Sequence, residues 1–207
     1  MYRLMNFYIN DLLGTIELER DIRPYARLTE QFPKVNVAED HAFQQLYKRY
    51  WQLNAARLGD RYIDSYFELL QRSKRCKNLD IETIATQLYQ VPNDRNERKL
   101  QFSSSTKLVH TVRPHKPIYD SNVVAFFFLR EGSETAATNT KLKHRLASYK
   151  YLEDEYGRIL AQDLLGNAIS EFRTRFDPDH VFTDEKVIDT LIWRFVTVLR
   201  SGTIRYR

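Results

Sequence analysis

The chain has 207 residues and a formal charge of +5, and hydrophobic residues make up 43% of it. A hydrophobic fraction of this size excludes wholesale disorder, and the length suits one well-buried core. The mild positive charge is compatible with a polyanionic partner, although charge alone does not establish one. With 6 glycines, the chain contains no glycine-rich phosphate-binding loop.

The single cysteine, Cys76, has no internal disulfide partner, which is typical of a protein from a reducing compartment. The first residues, MYRLMNFYINDLLG, lack the charged region and long apolar stretch of a signal peptide. The longest apolar run, Val123 to Leu129, is too short to span a membrane. We therefore expect a cytoplasmic protein with no membrane partner.

Apolar residues spaced three and four apart predict helices along the whole chain, and no β-hairpin signature occurs. Residues 1–36 predict a short helix and a second one interrupted by Pro24, as an N-terminal extension whose packing the sequence leaves open. A helix is expected over 37–58. The next two are expected to begin at Asp60 and Asp80, both of which are good N-cap residues.

A polar loop follows, and the second half of the chain predicts a central helix that begins at Leu100 or Phe102 and runs to Val112. Asp120 then precedes a short helix that runs to Arg130, for which it is a suitable N-cap. Later helices are expected over 141–162 and 168–176, and Thr183 is predicted to cap the last one. The expected architecture is an all-α single domain of about nine helices across residues 1–207, and one lobe or two both fit the pattern.

Six apolar residues of these helices are predicted to be core: Phe102, Val109, Val123, Phe127, Trp193 and Phe195. Aromatic residues dominate this set, and truncating a buried aromatic side chain to alanine typically costs about 3–5 kcal/mol.

The most informative segment is 102–123, FSSSTKLVHTVRPHKPIYDSNV. Four polar residues share one face of its predicted helix: Ser103, Lys107, His110 and Thr111. A proline-bounded turn then brings Asp120 near this face, so we expect the side chains of Lys107 and Asp120 to approach each other. Such a pair can perform covalent chemistry, and it can equally hold two helices together without catalysis.

The pattern from Phe102 to Lys107, followed by Pro117-Ile-Tyr-Asp120-Ser-Asn-Val123, resembles a group of uncharacterised bacterial proteins with an 8-oxoguanine-glycosylase-like fold. These proteins are distant members of the helix-hairpin-helix DNA glycosylase superfamily. The resemblance covers this segment closely and Phe43 to Leu70 more weakly. It implies a helix-hairpin-helix-like core, with Lys107 as the nucleophilic lysine and Asp120 as the catalytic aspartate.

The chain departs from the superfamily pattern in its hairpin. The superfamily hairpin is glycine-rich and grips a DNA phosphate through backbone amides, whereas the equivalent stretch, Lys99 to Lys107, has no glycine. Close approach of the backbone to a phosphate is therefore not favoured here. Three serine hydroxyls and the free amides of the helix N-terminus remain as phosphate-binding groups.

The chemistry that the resemblance implies needs these residue types. Enzymes that act on a base flip it out of the stack. A lysine amine whose pKa is lowered by burial can then attack the sugar, and a nearby carboxylate stabilises the cationic sugar that develops. Three neighbouring residues are candidate substrate-binding residues: Ser103, His110 and Tyr119.

Two basic clusters are candidate nucleic-acid-binding residues. The first comprises Lys141, Lys143 and Arg145 at the start of a helix. The second comprises Arg205 and Arg207, which flank a tyrosine suited to stacking on bases and equally typical of a solvated C-terminus.

Metal binding is not predicted. His110 and His115 flank the proline-bounded turn, but their spacing fits no standard zinc signature, and we expect no cofactor. The leading hypothesis is a DNA-binding, glycosylase-like protein. The alternative is a non-catalytic helical interaction or scaffold protein that retains only the fold, so the sequence leaves open whether the chain is an enzyme.

Overall fold

Every regular element in the part of the chain that the structure describes is helical. The computed structural model describes residues 1–53, 58–93, 95–130, 132–133 and 135–202. Within these ranges, α1 to α11 span Tyr2–Phe7, Ile9–Gly14, Arg23–Gln31, His41–Tyr50, Asp60–Ser73, Ile81–Tyr89, Phe102–Val112, Ser121–Phe126, Thr138–Ala161, Gly166–Phe176 and Asp184–Ser201. A π-helical turn, Leu18–Ile22, joins α2 to α3. The all-α prediction is confirmed, with eleven described α-helices rather than about nine.

The N-terminal region, whose packing the sequence left open, contributes to the core. Met5, Leu12 and Leu28 are buried within the same apolar cluster as the later helices. The side-chain amide of Asn6 also donates to the backbone carbonyl of Leu164 at 2.9 Å. We predicted that Pro24 interrupts a helix. It lies instead in the first turn of α3, where the missing N–H of proline costs no helical hydrogen bond.

Three of the predicted N-caps are confirmed, and one is wrong. Asp80, Asp120 and Thr183 each accept a hydrogen bond from a backbone amide of the helix that follows. Asp60 is instead the first residue of α5, and Gly59, with a positive φ of 75°, is the N-cap. Glycine adopts this backbone conformation without steric cost, which explains its use there.

Two predicted helices are shorter than expected. The helix predicted over 37–58 begins only at His41, because Asp40 caps it by accepting from the Phe43 amide at 2.9 Å. The helix expected to reach Arg130 ends at Phe126.

The helices α7 and α11 are the most buried elements around which the others pack. α7 lies against α5 and α6, and α11 lies against α2, α8, α9 and α10. Phe102, Val109, Val123 and Phe195 are buried as predicted, whereas Phe127 is only partly buried. None of the described helices combines the length and apolar composition needed to cross a membrane.

Trp193 differs from its prediction as a core residue. Its side chain is partly exposed, although it belongs to a helix that is otherwise largely buried. The reason is a cavity beside α11, one wall of which Trp193 forms.

Candidate active site

A cavity of about 980 Å³ lies beside the N-terminal ends of α7 and α8. Its walls come from the π-helical turn, the end of α4, the starts of α7 and α8, the side of α9 and the middle of α11. Five aromatic residues line it: Tyr50, Trp51, Phe102, Tyr119 and Trp193. The cavity therefore combines apolar walls with the charged groups described below.

Lys107 extends from α7 into this cavity, and its ammonium donates to the backbone carbonyl of Trp51 at 2.9 Å. Gln52, with a positive φ of 55°, follows Trp51 where α4 ends. A cation at the C-terminus of a helix is favoured by the helix dipole, so Lys107 also stabilises α4. Burial lowers the pKa of Lys107, while the carboxylates of Asp120 and Asp189 oppose this shift.

Asp120 lines the same cavity from the N-terminus of α8. Its Oδ1 accepts hydrogen bonds from the amides of Asn122 and Val123, both at 2.9 Å. Lys107 and Asp120 interact electrostatically but form no direct ion pair in the described structure, because the Lys107 ammonium binds the Trp51 carbonyl instead.

The turn between α7 and α8 is fixed by hydrogen bonds from three directions. His110 Nδ1 donates to the Lys116 carbonyl at 2.7 Å, and the Tyr149 hydroxyl donates to the Pro117 carbonyl at 3.1 Å. The backbone amide of Tyr119 donates to Thr106 Oγ1 at 3.1 Å. These contacts hold the N-terminus of α8, and hence Asp120, in place relative to α7.

His110 does not line the cavity. Its Nδ1 donates to the Lys116 carbonyl, so its Nε2 is the acceptor for the Tyr25 hydroxyl at 3.2 Å. Burial, followed by the positive charge of Lys186, lowers the pKa of His110 to about 3. His110 is thus a neutral residue of the core in this geometry, whereas the other two predicted substrate-binding residues, Ser103 and Tyr119, do line the cavity.

The three serines at the start of α7 do not act together. The hydroxyls of Ser104 and Ser105 are buried, and both donate to the carbonyl of Gln101. Ser104 also meets the Tyr62 hydroxyl at 2.9 Å. Only Ser103 reaches the cavity, so the expected set of three hydroxyls for a phosphate is reduced to one.

A second lysine–aspartate pair, which the sequence analysis missed, lines the cavity from α11. Lys186 and Asp189 are both buried and form an ion pair at 2.9 Å. The Lys186 ammonium also lies over the rings of Tyr25, Tyr50 and Trp51, at 4.9–5.6 Å from their centroids.

The pKa of each member of this pair reflects burial and its partner. Burial raises the pKa of Asp189, and the charge of Lys186 opposes that shift. Burial alone would lower the pKa of Lys186, but the Asp189 carboxylate together with Tyr50 and Tyr25 opposes it, and the net shift is upward. The upward shift keeps Lys186 protonated, and its ammonium stabilises the Asp189 carboxylate across the 2.9 Å contact.

A polar stripe on α11 was the signal for this pair. Polar or cavity-lining residues recur there at helical spacing: Lys186, Asp189, Thr190, Trp193 and Arg194. Such a stripe on an otherwise apolar helix indicates either a solvated face or a cavity wall.

The predicted nucleic-acid-binding residues divide into three groups. Arg145 lines the cavity and donates to the Leu100 carbonyl at 3.0 Å. Lys141 is partly buried and Lys143 is exposed, and neither lines the cavity. Arg205 and Arg207 lie outside the described residues. Three further cations line the cavity and were not predicted: Arg20, Arg49 and Arg194.

Across the described ranges, no group of three or more histidine, cysteine, aspartate or glutamate side chains is arranged to hold a metal ion. No family model matches the chain, and no curated protein or solved structure shows significant similarity to it. The geometry of the cavity is therefore the basis for a functional inference.

Proposed function

We propose that this protein binds nucleic acid and cleaves the bond between a base and its sugar, with Lys107 as the nucleophile and Asp120 as the stabilising carboxylate. One observation carries this function. Lys107, whose pKa is lowered, and Asp120, whose carboxylate interacts electrostatically with it, line the same aromatic-walled cavity.

The chemistry follows from the state of the two side chains. Burial increases the fraction of Lys107 present as a neutral amine, which is the nucleophilic form. The amine attacks the sugar carbon that carries the base, the bond from that carbon to the base nitrogen breaks, and the electron pair leaves with the base. The negative charge of Asp120 stabilises the positive charge that develops on the sugar.

The cavity also suits a flipped nucleotide in size and in the character of its walls. Ligand-binding cavities are commonly 300–1,000 Å³ in volume, and the volume here is about 980 Å³. Aromatic walls provide stacking surfaces for a base. Arg49 and Arg145 line the same cavity and form no ion pair with a described residue, so they provide positive charge for the phosphates on either side of the nucleotide.

A purely structural role for Lys107 is the competing function, and one contact favours it. The ammonium binds the Trp51 carbonyl and so stabilises the end of α4. Catalysis requires that this hydrogen bond be exchanged for contact with the substrate. A purely structural lysine, in contrast, has no need of an adjoining cavity.

Borohydride trapping distinguishes these roles. The purified protein is incubated with a DNA duplex that carries one abasic site, in the presence of sodium borohydride, which reduces an imine between a lysine and the sugar aldehyde to a stable amine. We expect a covalent adduct with the wild-type protein and none with Lys107→Gln. Asp120→Asn should retain the adduct within a few-fold, because no base is left to release and asparagine caps a helix about as well as aspartate.

Lys150→Gln is the matched control. Lys150 is an exposed lysine of α9 whose ion pair is with Asp154, outside the cavity, and its replacement should leave the adduct unchanged. Thermal melting of each variant shows whether it is folded. If the wild-type protein forms no adduct and Lys107→Gln melts far below it, Lys107 is a structural residue and the enzymatic function is wrong.

A further inference from the structure

Two lysines of the cavity wall contact the same residue, Trp51. The Lys107 ammonium donates to the Trp51 carbonyl at 2.9 Å, and the Lys186 ammonium lies 4.9 Å from the centroid of the Trp51 ring. Trp51 is 6% exposed and also lines the cavity. The position of Trp51 therefore affects both the nucleophile proposed above and the wall beside it.

The surroundings of the two lysines differ. Lys186 is 4% exposed, forms an ion pair with Asp189 at 2.9 Å and lies over aromatic rings, which favour a cation over a neutral amine. Lys107 donates to a neutral carbonyl and forms no ion pair in the described structure. Titratable groups whose environments differ in this way hold their protons to different extents, which separates their roles.

The pKa shifts of the two side chains agree with this division. Burial lowers the pKa of Lys186, but the Asp189 carboxylate and the neighbouring tyrosines oppose it, and the net shift is upward. Burial also lowers the pKa of Lys107, where Asp120 and Asp189 oppose the shift and the charge of Lys186 adds to it. The net shift at Lys107 is downward.

Building on the function proposed above, we infer that Lys186 is a positioning residue rather than a second nucleophile: it stays protonated and holds the Trp51 ring, and so fixes the carbonyl that orients Lys107. An amine attacks a sugar carbon only in its neutral form, so a lysine that keeps its proton leaves that step to its neighbour. Trp51 is the C-cap of α4, where its carbonyl has no donor within the helix. Lys107 supplies that donor, and Lys186 restrains the ring of the same residue.

The first test uses the wild-type protein. The adduct trapped with borohydride on a duplex with one abasic site is digested with nuclease and protease, and mass spectrometry identifies the lysine that carries the reduced sugar. We expect the modification on Lys107 and none on Lys186. A modification on Lys186 would overturn the inference, and this result does not depend on whether any variant folds.

Two replacements then separate the charge of Lys186 from its chemistry. Lys186→Arg keeps a positive charge beside Asp189, but a guanidinium forms no imine, so the trapping rate should stay within about threefold of the wild-type rate. Lys186→Met combined with Asp189→Asn removes both charges of the buried pair without leaving either one unpaired, a change that proteins often tolerate. This neutral double variant should trap about tenfold more slowly or more, because the anchor of Lys107 is no longer held.

The trapping rate is measured as a function of pH and compared at its alkaline plateau. Lys107 is neutral there in every variant, so a change in its pKa does not contribute to the difference. Lys150→Met combined with Asp154→Asn is the matched control, because it removes an exposed ion pair of α9 outside the cavity. This control should keep the wild-type rate, and thermal melting shows which variants are folded.

The position of Trp51 is measured without nucleic acid. Trp51 and Trp193 are the two tryptophans of the chain, so Trp193→Phe leaves Trp51 as the source of tryptophan fluorescence. In this background the neutral double variant should give a higher constant for quenching by acrylamide, because the ring has lost the cation that restrains it. Lys186→Arg should keep the lower constant.

Two results with folded variants would also overturn the inference. A neutral double variant that traps at the wild-type rate would make Lys186 only a structural residue, and a Lys186→Arg variant that forms no adduct would give its amine a direct part in the reaction. If the wild-type protein forms no adduct, the proposed function fails. The quenching measurement then still decides whether Lys186 holds Trp51, because it involves no substrate.

Discussion

His110 and Lys107 lie on the same helix, and burial lowers the pKa of both, with different consequences. The imidazole of His110 has a hydrogen-bond partner at each nitrogen, and its pKa is lowered to about 3. It therefore stays neutral in the folded protein at any pH near neutrality. Lys107 instead lines the cavity, where its lowered pKa increases the fraction of the neutral amine that the proposed reaction requires.

The histidine makes stability depend on pH in a definite direction. An unfolded chain binds a proton at His110 below its ordinary pKa of about 6.5, and the folded chain does so only near pH 3. Between these values the unfolded state holds more protons, so stability decreases as the pH falls from about 6.5 toward 3.

We predict that His110→Gln weakens this acid sensitivity. The side-chain amide of glutamine provides both a hydrogen-bond donor group and an acceptor, as neutral imidazole does, but it does not titrate. Between pH 6.5 and pH 4.5, two pH units, the variant should lose about 2 kcal/mol less unfolding free energy than the wild-type protein. Urea unfolding at the two pH values measures this difference.

His41→Gln is the control for this measurement, because His41 is an exposed residue at the start of α4. It should keep the wild-type loss of stability between the two pH values. An equal loss in wild type and His110→Gln would show that other groups account for the acid sensitivity.

At the scale of a single element, α11 separates residues that stabilise the fold from residues that face the cavity. Phe195 is 1% exposed and packs edge-on against Phe126 of α8, with ring centroids 5.9 Å apart. Trp193 lies two positions earlier on the opposite side, is partly exposed and forms part of the cavity wall.

Alanine at Phe195 should mainly reduce stability, whereas alanine at Trp193 should mainly reduce binding. Phe195→Ala should lower the unfolding free energy by about 3–5 kcal/mol, because it leaves a void in the core. Trp193→Ala should cost much less stability but weaken binding of a duplex that carries one mispaired base by about 1–3 kcal/mol, the usual worth of stacking a base on an aromatic side chain. Urea unfolding and fluorescence anisotropy provide the two measurements.

The two variants together test whether α11 has one face in the core and another in the cavity wall. If Trp193→Ala were the more destabilising change and left affinity intact, Trp193 would be a core residue after all, as the apolar pattern of the last helix alone suggested. If Phe195→Ala weakened binding by the folded protein, the division of α11 into two faces would be wrong.

The sequence predicted features that depend on a few neighbouring residues. Asp80, Asp120 and Thr183 cap helices because a short polar side chain reaches amides only two or three residues ahead, whatever packs around them. The central helix was predicted to begin at Leu100 or Phe102 and to end at Val112, and the structure has it over Phe102–Val112, because its apolar spacing is continuous.

The cavity depends on packing between distant parts of the chain, and a local pattern does not reveal it. The exposure of Trp193 depends on what lies opposite, and the π-helical turn that supplies Arg20 and Asp21 comes from the far end of the sequence. The Lys186–Asp189 pair was visible as polar residues three apart, but its burial was not. The direct approach of Lys107 to Asp120 was overestimated because the Trp51 carbonyl competes for the ammonium.

At the scale of the whole molecule, the cavity shares the positive balance of the chain, whose formal charge is +5, because its lining has more cationic than acidic side chains. The lining residues include Arg20, Arg49, Lys107, Arg145, Lys186 and Arg194, against the acids Glu19, Asp21, Asp120 and Asp189. Several of these cations are committed to partners within the protein. Arg194 pairs with Asp21, Lys186 pairs with Asp189, and Arg145 binds a backbone carbonyl.

Arg49 is exposed at the end of α4 and lines the cavity, which makes it the best placed of these cations to contact a phosphate. Each phosphate contact of a duplex-binding protein releases bound counterions, so the logarithm of affinity falls with the logarithm of salt concentration by about 0.9 per contact. We predict that Arg49→Gln weakens duplex binding at low salt and reduces the magnitude of this slope by about 1.

Fluorescence anisotropy titrations between about 50 and 200 mM salt give the slope for each protein. Arg72→Gln removes the same charge from an exposed position on α5 outside the cavity and serves as the matched control. A general effect of net charge would change both variants alike, whereas a phosphate bound beside the cavity changes the slope for Arg49→Gln alone. Equal slopes in the two variants and the wild-type protein would place the nucleic acid away from the cavity mouth, and the cavity would then need a ligand that is not part of a duplex.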